Sequence, residues 1–447
     1  MRLLLCLGFF MLTSIFWAQQ FDKEKLEAIF DHLQENDKAM GSIALMHNGK
    51  TVYSRSIGYT DLDKKVKATP KSLYSIGSIS KIYTAVMALQ LVEKGKLSLE
   101  TKLSEYFPKV VNAEQISIEQ LLRHRSGIFN LTSDETLHDW AYAEISREQL
   151  LDKIYSYPSV FAPGKQFDYS NSGYLLLSYI IEDVTGMSYN DALQKMIVKK
   201  CGIKDTKISA LGDKDYKTLS YKKFGEWTPE RITNLNLALG GGGIASTAEE
   251  VNKFLHCLNT GKLLSASSLE KMKSLVDGYG LGVFQVPFHE HSGFGHNGGI
   301  DGYQSMAYYF DAEQVGFTYL SNAVDFPIND VAILVLSEIF GKDYTLPTFS
   351  ELQKLPEGQL KQYLGNYSAD NFPMSILVQE KNGVMTIFPT GQVEMPIDYV
   401  GDHTFTLDAV GLKLVFDPEK EIMHLHQSGM HFILQRKIGN SLQSQEK

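Results

Sequence analysis

Strand signals lie at both ends of one long segment of this chain and helical signals fill its middle, an order that restricts the fold more than any other feature. Near the N-terminus, residues 42–46 and 51–56 flank His47-Asn48-Gly49-Lys50, and Asn-Gly between two strand-like runs marks a two-residue hairpin turn. A helix over about 24–36 precedes this hairpin. Strand runs return at 280–286, 302–310 and 315–321, followed by a helix over about 328–340. From about 99 to 275 the pattern is mostly helical with long connections. It includes 173–184 and a helix opened by Thr247-Ala248-Glu249-Glu250, which reads as a capping box. Strands from both ends must therefore pair in one antiparallel sheet that carries a helical insertion. The class is α+β: an antiparallel sheet flanked by helices, plus a mostly helical subdomain.

At 447 residues the chain exceeds what one core usually supports. Residues 343–355 contain Pro347, precede Pro356 and show no periodicity, so a linker is expected there. Beyond it, short strands at 375–379, 384–388, 395–400, 404–409, 412–416, 422–426 and 430–435 alternate with turns such as Lys381-Asn382-Gly383. So many short strands over 356–437 suggest a small all-β barrel or sandwich, with a polar tail at 438–447.

At the other end, Arg2 precedes an apolar run from Leu3 to Phe16, too short for a bilayer span. Residues 1–18 read as a signal peptide, so the mature chain, 19 onward, is expected outside the cytoplasm, periplasmic or secreted, with no stable membrane span. The net charge of -9 argues against nucleic acid as a partner. Cys6 falls in the signal segment. Cys201 and Cys257 remain, and either a single bridge or two free thiols, with Cys257 as a small core residue, fits the sequence.

Chemistry enters at Gly77-Ser78-Ile79-Ser80-Lys81, between a strand-like run at 73–77 and an apolar-faced helix over about 79–93. Three residues apart on a helix, Lys81 can reach the Ser78 hydroxyl. A serine needs a base, and an amine serves only if burial or positive surroundings lower its pKa. The spacing alone says little: Ser-x-x-Lys also occurs at Ser220, Ser268 and Ser444. Only Ser78 follows a strand and opens such a helix. Tyr169-Ser170-Asn171 offers a phenol and an amide two residues apart in a turn, and Gly295-His296-Asn297-Gly298-Gly299 precedes a late strand.

Through these motifs the chain resembles, over most of residues 22–342, the serine β-lactamase-related family. That family includes class C β-lactamases, penicillin-binding DD-peptidases, D-aminopeptidases and related esterases. Supporting matches are Leu121-Leu122-Arg123-His124-Arg125-Ser126-Gly127, where the family usually has Thr in place of Arg125, Ala162-Pro163-Gly164, and Gly241-Gly242-Gly243-Ile244-Ala245-Ser246-Thr247. The segment from Tyr363 to Tyr367 and the strands after it resemble lipocalin-like domains attached to some of these hydrolases.

The resemblance implies Ser78 as the acylated nucleophile, with Lys81 and Tyr169 sharing the proton transfers. It places Asn171 on the substrate amide and Lys81, and the Ser78 and Gly299 N–H groups in an oxyanion hole, with Gly298 beside them. His296 replaces the Lys of the usual Lys-Thr-Gly and would face substrate from a strand edge. A histidine is mostly neutral above a pKa of about 6.5, so carboxylate recognition is weakened and the expected substrates are D-amino-acid peptides or amides. Esters or β-lactams come second. A non-catalytic sensor of penicillin or peptidoglycan fragments is the rival of another class. No cofactor is implied, and the oligomeric state is left open. His424-Leu425-His426 with His431, and His289 with His291, offer no third metal ligand and second shell, so they read as exposed strand histidines. The run Gly240 to Gly243 lacks the Lys-Ser/Thr of a phosphate loop and reads as a close-packed turn.

Overall fold

The computed structural model describes residues 21–208 and 218–437, apart from 357, 382 and 393. The expected signal segment with Cys6, the polar tail with Ser444, and Asn382 of the 381–383 turn lie outside these residues. The chain packs as two units. One is Met40–Tyr221 with Pro229–Ala323; the other takes the described residues before Met40, then Lys222–Thr228, then those from Val324 onward. The sequence suggests one boundary at 343–355; residues 342–356 do carry neither helix nor strand.

The first unit is organised by a six-stranded sheet. Its strands are β1 (Ala39–His47), β2 (Lys50–Ile57), β3 (Phe284–Phe288), β4 (His291–Ile300), β5 (Tyr303–Phe310) and β6 (Val315–Val324). Their order, β3-β4-β5-β6-β1-β2, brings the N-terminal hairpin beside the late strands. Asn48 and Gly49, at φ 50° and 75°, form the turn that joins β1 to β2.

Strand β4 is not apparent in the sequence, where residues 295–299 read as preceding a strand. Four glycines and an asparagine give it weak strand propensity. It forms because β3 and β5 pair with it, and the glycines answer to space. A Cβ at Gly295 would lie 2.0 Å from Ala307 O, and one at Gly298 2.2 Å from Ile76 O.

Helices Lys23–Glu35 (α1), Ser80–Glu93 (α2), Asn171–Thr185 (α3), Ala248–Asn259 (α4) and Ile328–Ile339 (α5) are the longest. Helix α2 is the centre of the first unit: every residue from Ser80 to Leu91 is buried, so its surroundings are protein on all sides. Helix α3 packs on it. At α4, Thr247 accepts the Glu250 N–H at 3.2 Å, which is half of the expected capping box. The Glu250 carboxylate is taken instead by the N–H groups of Lys204 and Asp205 and by the Thr206 hydroxyl. Cys257 of α4 is joined to Cys201, with Cα atoms 5.7 Å apart.

In the second unit, α1 starts at Asp22, whose carboxylate accepts the Glu24 N–H while its own N–H donates to Glu338 of α5. The C-terminal region holds nine strands: β7 (Gly365–Ser368), β8 (Ile376–Lys381), β9 (Val384–Pro389), β10 (Met395–Pro396), β11 (Asp398–Gly401), β12 (Thr404–Leu407), β13 (Leu412–Asp417), β14 (Ile422–Gln427) and β15 (Met430–Lys437). Their order is β10-β9-β8-β7-β15-β14-β13-β12-β11. The two edge strands are thus consecutive in the chain and separated only by Ile397. A sheet whose edges are one residue apart must curl round on itself, and the result is a nearly closed barrel. Tyr363, Tyr367, Phe405, Phe416, Leu414 and Leu434 fill it.

Candidate active site

Ser78 lies in a single 3-10 turn, Gly77–Ile79, between the short strand Tyr74–Ser75 and α2. The turn is held against the sheet. Pairing of β3 with β4 stops at Gly295, which leaves the outer edge of residues 296–300 uncovered, and the Ser78 turn occupies that edge. A Cβ at Gly77, where φ is 50°, would come within 2.7 Å of Gly299 N, and one at Gly298 within 3.0 Å of Ser78 N. Both glycines are required by this approach. Gly298→Ala is accordingly expected to push the turn off β4 and to lower kcat by roughly 10²-fold, with KM affected less, as steady-state kinetics would measure.

Lys81 Nζ is buried and meets three oxygens: Ser78 Oγ at 3.0 Å, Asn171 Oδ1 at 2.7 Å and Gly241 O at 2.8 Å. Loss of hydration pushes the amine well below its ordinary pKa of 10.5. A neutral amine has two N–H bonds and one lone pair. With the N–H bonds directed to Asn171 and Gly241, which can only accept, the lone pair is left for the Ser78 hydroxyl. The glycine run is what brings Gly241 O here: the carbonyl of Gly240, at φ 71°, accepts the Thr84 hydroxyl one turn further along α2, and a Cβ at Gly240 would strike Tyr174 O at 2.3 Å.

Asn171 opens α3. Its Nδ2 donates to Thr132 Oγ1 at 2.9 Å and its N–H to Asn130 Oδ1 at 3.0 Å, so the amide oxygen is fixed toward Lys81. Burial raises the Tyr169 phenol above its ordinary value, with the neighbouring Ser78 hydroxyl opposing it, and Lys81 Nζ lies 4.8 Å from its ring centre. Ser78, Lys81, Tyr169 and Asn171 are therefore together.

His296 is placed differently from the expectation of a ring facing substrate. It is 4 % exposed. Its Nδ1 meets Asn297 O and its Nε2 lies 2.9 Å from Tyr279 Oη. Since a carbonyl only accepts, Nδ1 carries the proton and Nε2 accepts from the phenol. Burial presses its pKa down to about 3, so the ring is neutral. Strand β4 is interior at this point, with Tyr279 and Phe284 against the ring, and that is why the imidazole is turned inward.

A cleft of about 240 Å³ opens beside Ser78. Thr132, Asn171, Gly241, Gly299 and Asp301 supply its polar wall; Leu137, Leu237 and Ile300 its apolar one. Gly299 faces it with no heavy atom within 4 Å of a would-be Cβ. The Thr233 N–H and hydroxyl donate to Asp301.

Two of the other Ser-x-x-Lys serines are differently employed: Ser220 Oγ accepts the Gly302 N–H, and the Ser268 N–H donates to the hydroxyl of Ser265, which caps its helix. On the barrel, His424 Nδ1 and His431 Nε2 share a hydrogen bond of 3.0 Å. Among the described residues no group of three or more His, Cys, Asp or Glu is arranged to hold a metal ion. No described helix is long and apolar enough to cross a membrane.

Several site features were invisible in sequence. The Gly241 carbonyl is a backbone group, and Asn130, Thr132, Tyr279 and Asp301 lie in no recognisable motif. Arg125, the departure from the family pattern, pairs with Asp277 and donates to Gly164 O.

Comparison with known proteins follows the same lines. Residues 26–335 match the family described as Beta-lactamase. Penicillin-binding protein 4* of Bacillus subtilis is 24% identical over 434 residues, 89% of this chain and 94% of that protein. Against two other curated relatives the chain spans only 62% and 38% of their length. Among solved structures, D-amino acid amidase from Ochrobactrum anthropi SV3 superposes with a TM-score of 0.62 at 24% identity, covering 71% of this chain and 98% of that one. The octameric penicillin-binding protein homologue from Pyrococcus abyssi gives 0.64 at 23% identity, covering 92% and 99%.

Proposed function

This chain belongs to the beta-lactamase family, and from that premise we propose that it is a serine hydrolase acting through an acyl-enzyme on Ser78, with amides or peptides of D-amino acids as substrates. The observation that carries the reading is the threefold setting of Lys81 Nζ, which leaves one lone pair for one hydroxyl. Lys81 takes the Ser78 proton as Oγ bonds to the substrate carbonyl carbon. The Ser78 and Gly299 N–H groups receive the charge that develops on the carbonyl oxygen. The Tyr169 phenol, kept protonated by burial, gives a proton to the departing amine and is reprotonated from Lys81. Water then attacks the ester carbonyl, giving a proton to Lys81 as its oxygen bonds to the carbonyl carbon; the Oγ–C bond breaks and that proton passes to Oγ, which restores the Ser78 hydroxyl.

Preference for amides is supported by likeness to the Ochrobactrum amidase and to penicillin-binding protein 4*. It is also supported by the inward, neutral His296, which offers no cation to a substrate carboxylate. Export is part of the proposal, supported by the apolar N-terminal run and by the Cys201–Cys257 pairing, which suits an oxidising compartment.

Purified protein would be incubated with D-phenylalanine amide, a D-alanyl-D-alanine peptide, p-nitrophenyl butyrate and nitrocefin while product and intact mass are followed. Faster turnover of the amide or peptide than of the ester supports the proposal. Faster ester turnover makes it an esterase. A stable mass adduct without product makes it a sensor.

A further inference from the structure

His124 touches neither the cleft nor Lys81 Nζ in any contact described above, yet it is the most closely engaged neighbour of Tyr169. Its carbonyl accepts the Asp168 N–H at 2.9 Å, and its Nδ1 accepts the Ser170 N–H at 3.0 Å. Between these two bonds stands Tyr169, whose ring lies 4.1 Å from the imidazole, centre to centre, at 31°. One residue thus grips the N–H of the residue before the tyrosine, the N–H of the residue after it, and the side chain itself.

The grip has a backbone signature. His124 has φ 57°, a left-handed conformation uncommon outside glycine, for which asparagine, aspartate and histidine are the favoured side chains. The neighbouring segment follows the same course: the Arg125 carbonyl accepts the Gly164 N–H and the Gly127 carbonyl the Val160 N–H. Residues 124–127 are therefore zipped to the stretch that delivers Tyr169.

The imidazole has no other task. It is 1 % exposed. As Nδ1 accepts from a backbone N–H, the proton sits on Nε2, and Nε2 has no hydrogen-bond partner among the described residues. Tyr174 and Tyr279 hold it at 5.1 Å and 4.9 Å. A buried N–H left without a partner is a cost that a plain core residue would avoid. We propose that His124 is a positioning residue, which sets the Tyr169 phenol toward Ser78 by fixing the residues on either side of it and one face of the ring. This rests on the proton-transfer role of Tyr169 given above.

The test is a double-mutant cycle with Tyr169→Phe, using D-alanine p-nitroanilide and p-nitrophenyl acetate as substrates. Asparagine tolerates positive φ, and its Oδ1 stands where Nδ1 does, so His124→Asn keeps the bond to Ser170 and loses the ring. His124→Phe keeps the ring and loses the bond. Each is expected to lower kcat, His124→Phe by roughly 10²-fold and His124→Asn by roughly 10-fold, with KM nearly unchanged. In the Tyr169→Phe background neither should lower kcat further.

Equal losses with and without the phenol, a change in KM alone, or full rate in both His124 variants would overturn the proposal while leaving the role of Tyr169 intact. A Tyr169→Phe enzyme with full kcat would remove that role and the proposal with it. If His124→Phe fails to fold by its thermal unfolding curve, the cycle with His124→Asn still decides.

Discussion

Ser78→Ala is expected to lower kcat/KM on any substrate the enzyme turns over by roughly 10⁴–10⁶-fold, the scale on which loss of a serine nucleophile acts. The same change should abolish the mass adduct formed with slow substrates, because the covalent bond is to Oγ itself. The fold should hardly notice. Ser78 sits in a turn whose position depends on Gly77 and Gly298 rather than on its own side chain, and Lys81 keeps Asn171 and Gly241 as partners. A thermal midpoint close to that of the parent, with hydrolysis gone, is the expected pair of results. Retention of full hydrolysis would refute the assignment of Ser78.

Lys81→Met should be the next largest loss, roughly 10²–10⁴-fold in kcat, the usual contribution of a positioned acid or base. Methionine fills similar space, so the loss belongs to the amine. The pH dependence adds a separate signature. Burial holds the folded amine well below 10.5, whereas the unfolded chain titrates near that value. Between the two pKa values the folded state binds fewer protons than the unfolded state, so stability rises with pH there. The contribution is complete above the unfolded pKa and is lost as pH falls through the folded one. Denaturant midpoints measured from neutral to alkaline pH should show this slope in the parent and not in Lys81→Met. An identical slope in both would place the effect elsewhere. In kcat/KM the parent should show a rising limb well below pH 10.5 that the variant lacks.

The legible parts of this protein were those written in local pattern. The Asn48-Gly49 turn, the distribution of strands around a helical middle and the crowded short strands of the C-terminus follow from residue periods and turn chemistry. Strand β4 did not, because its glycines suppress local preference and its existence depends on partners β3 and β5. Six of the nine barrel strands had a counterpart in sequence as single continuous runs. Gly365–Ser368 was not distinguished as a strand, and the run 395–400 is divided at Ile397 by closure, which no local signal reports.

At the site, reactive side chains could be named from motif and context, but their protonation could not. Lys81 and His296 are both displaced from their ordinary pKa by burial, a property of distant segments. The inward turn of His296 depends on Tyr279, seventeen residues away in no motif.

The nitrogen of Lys81 gathers oxygens from residues 78, 171 and 241, drawn from three separate stretches of chain. A freshly synthesised, unassembled polypeptide has an ordinary solvated lysine, protonated at neutral pH, and hence an inert serine. Reactivity switches on only when the last of those stretches docks. The protein is in this sense its own zymogen, with folding as the activating step and no peptide to remove.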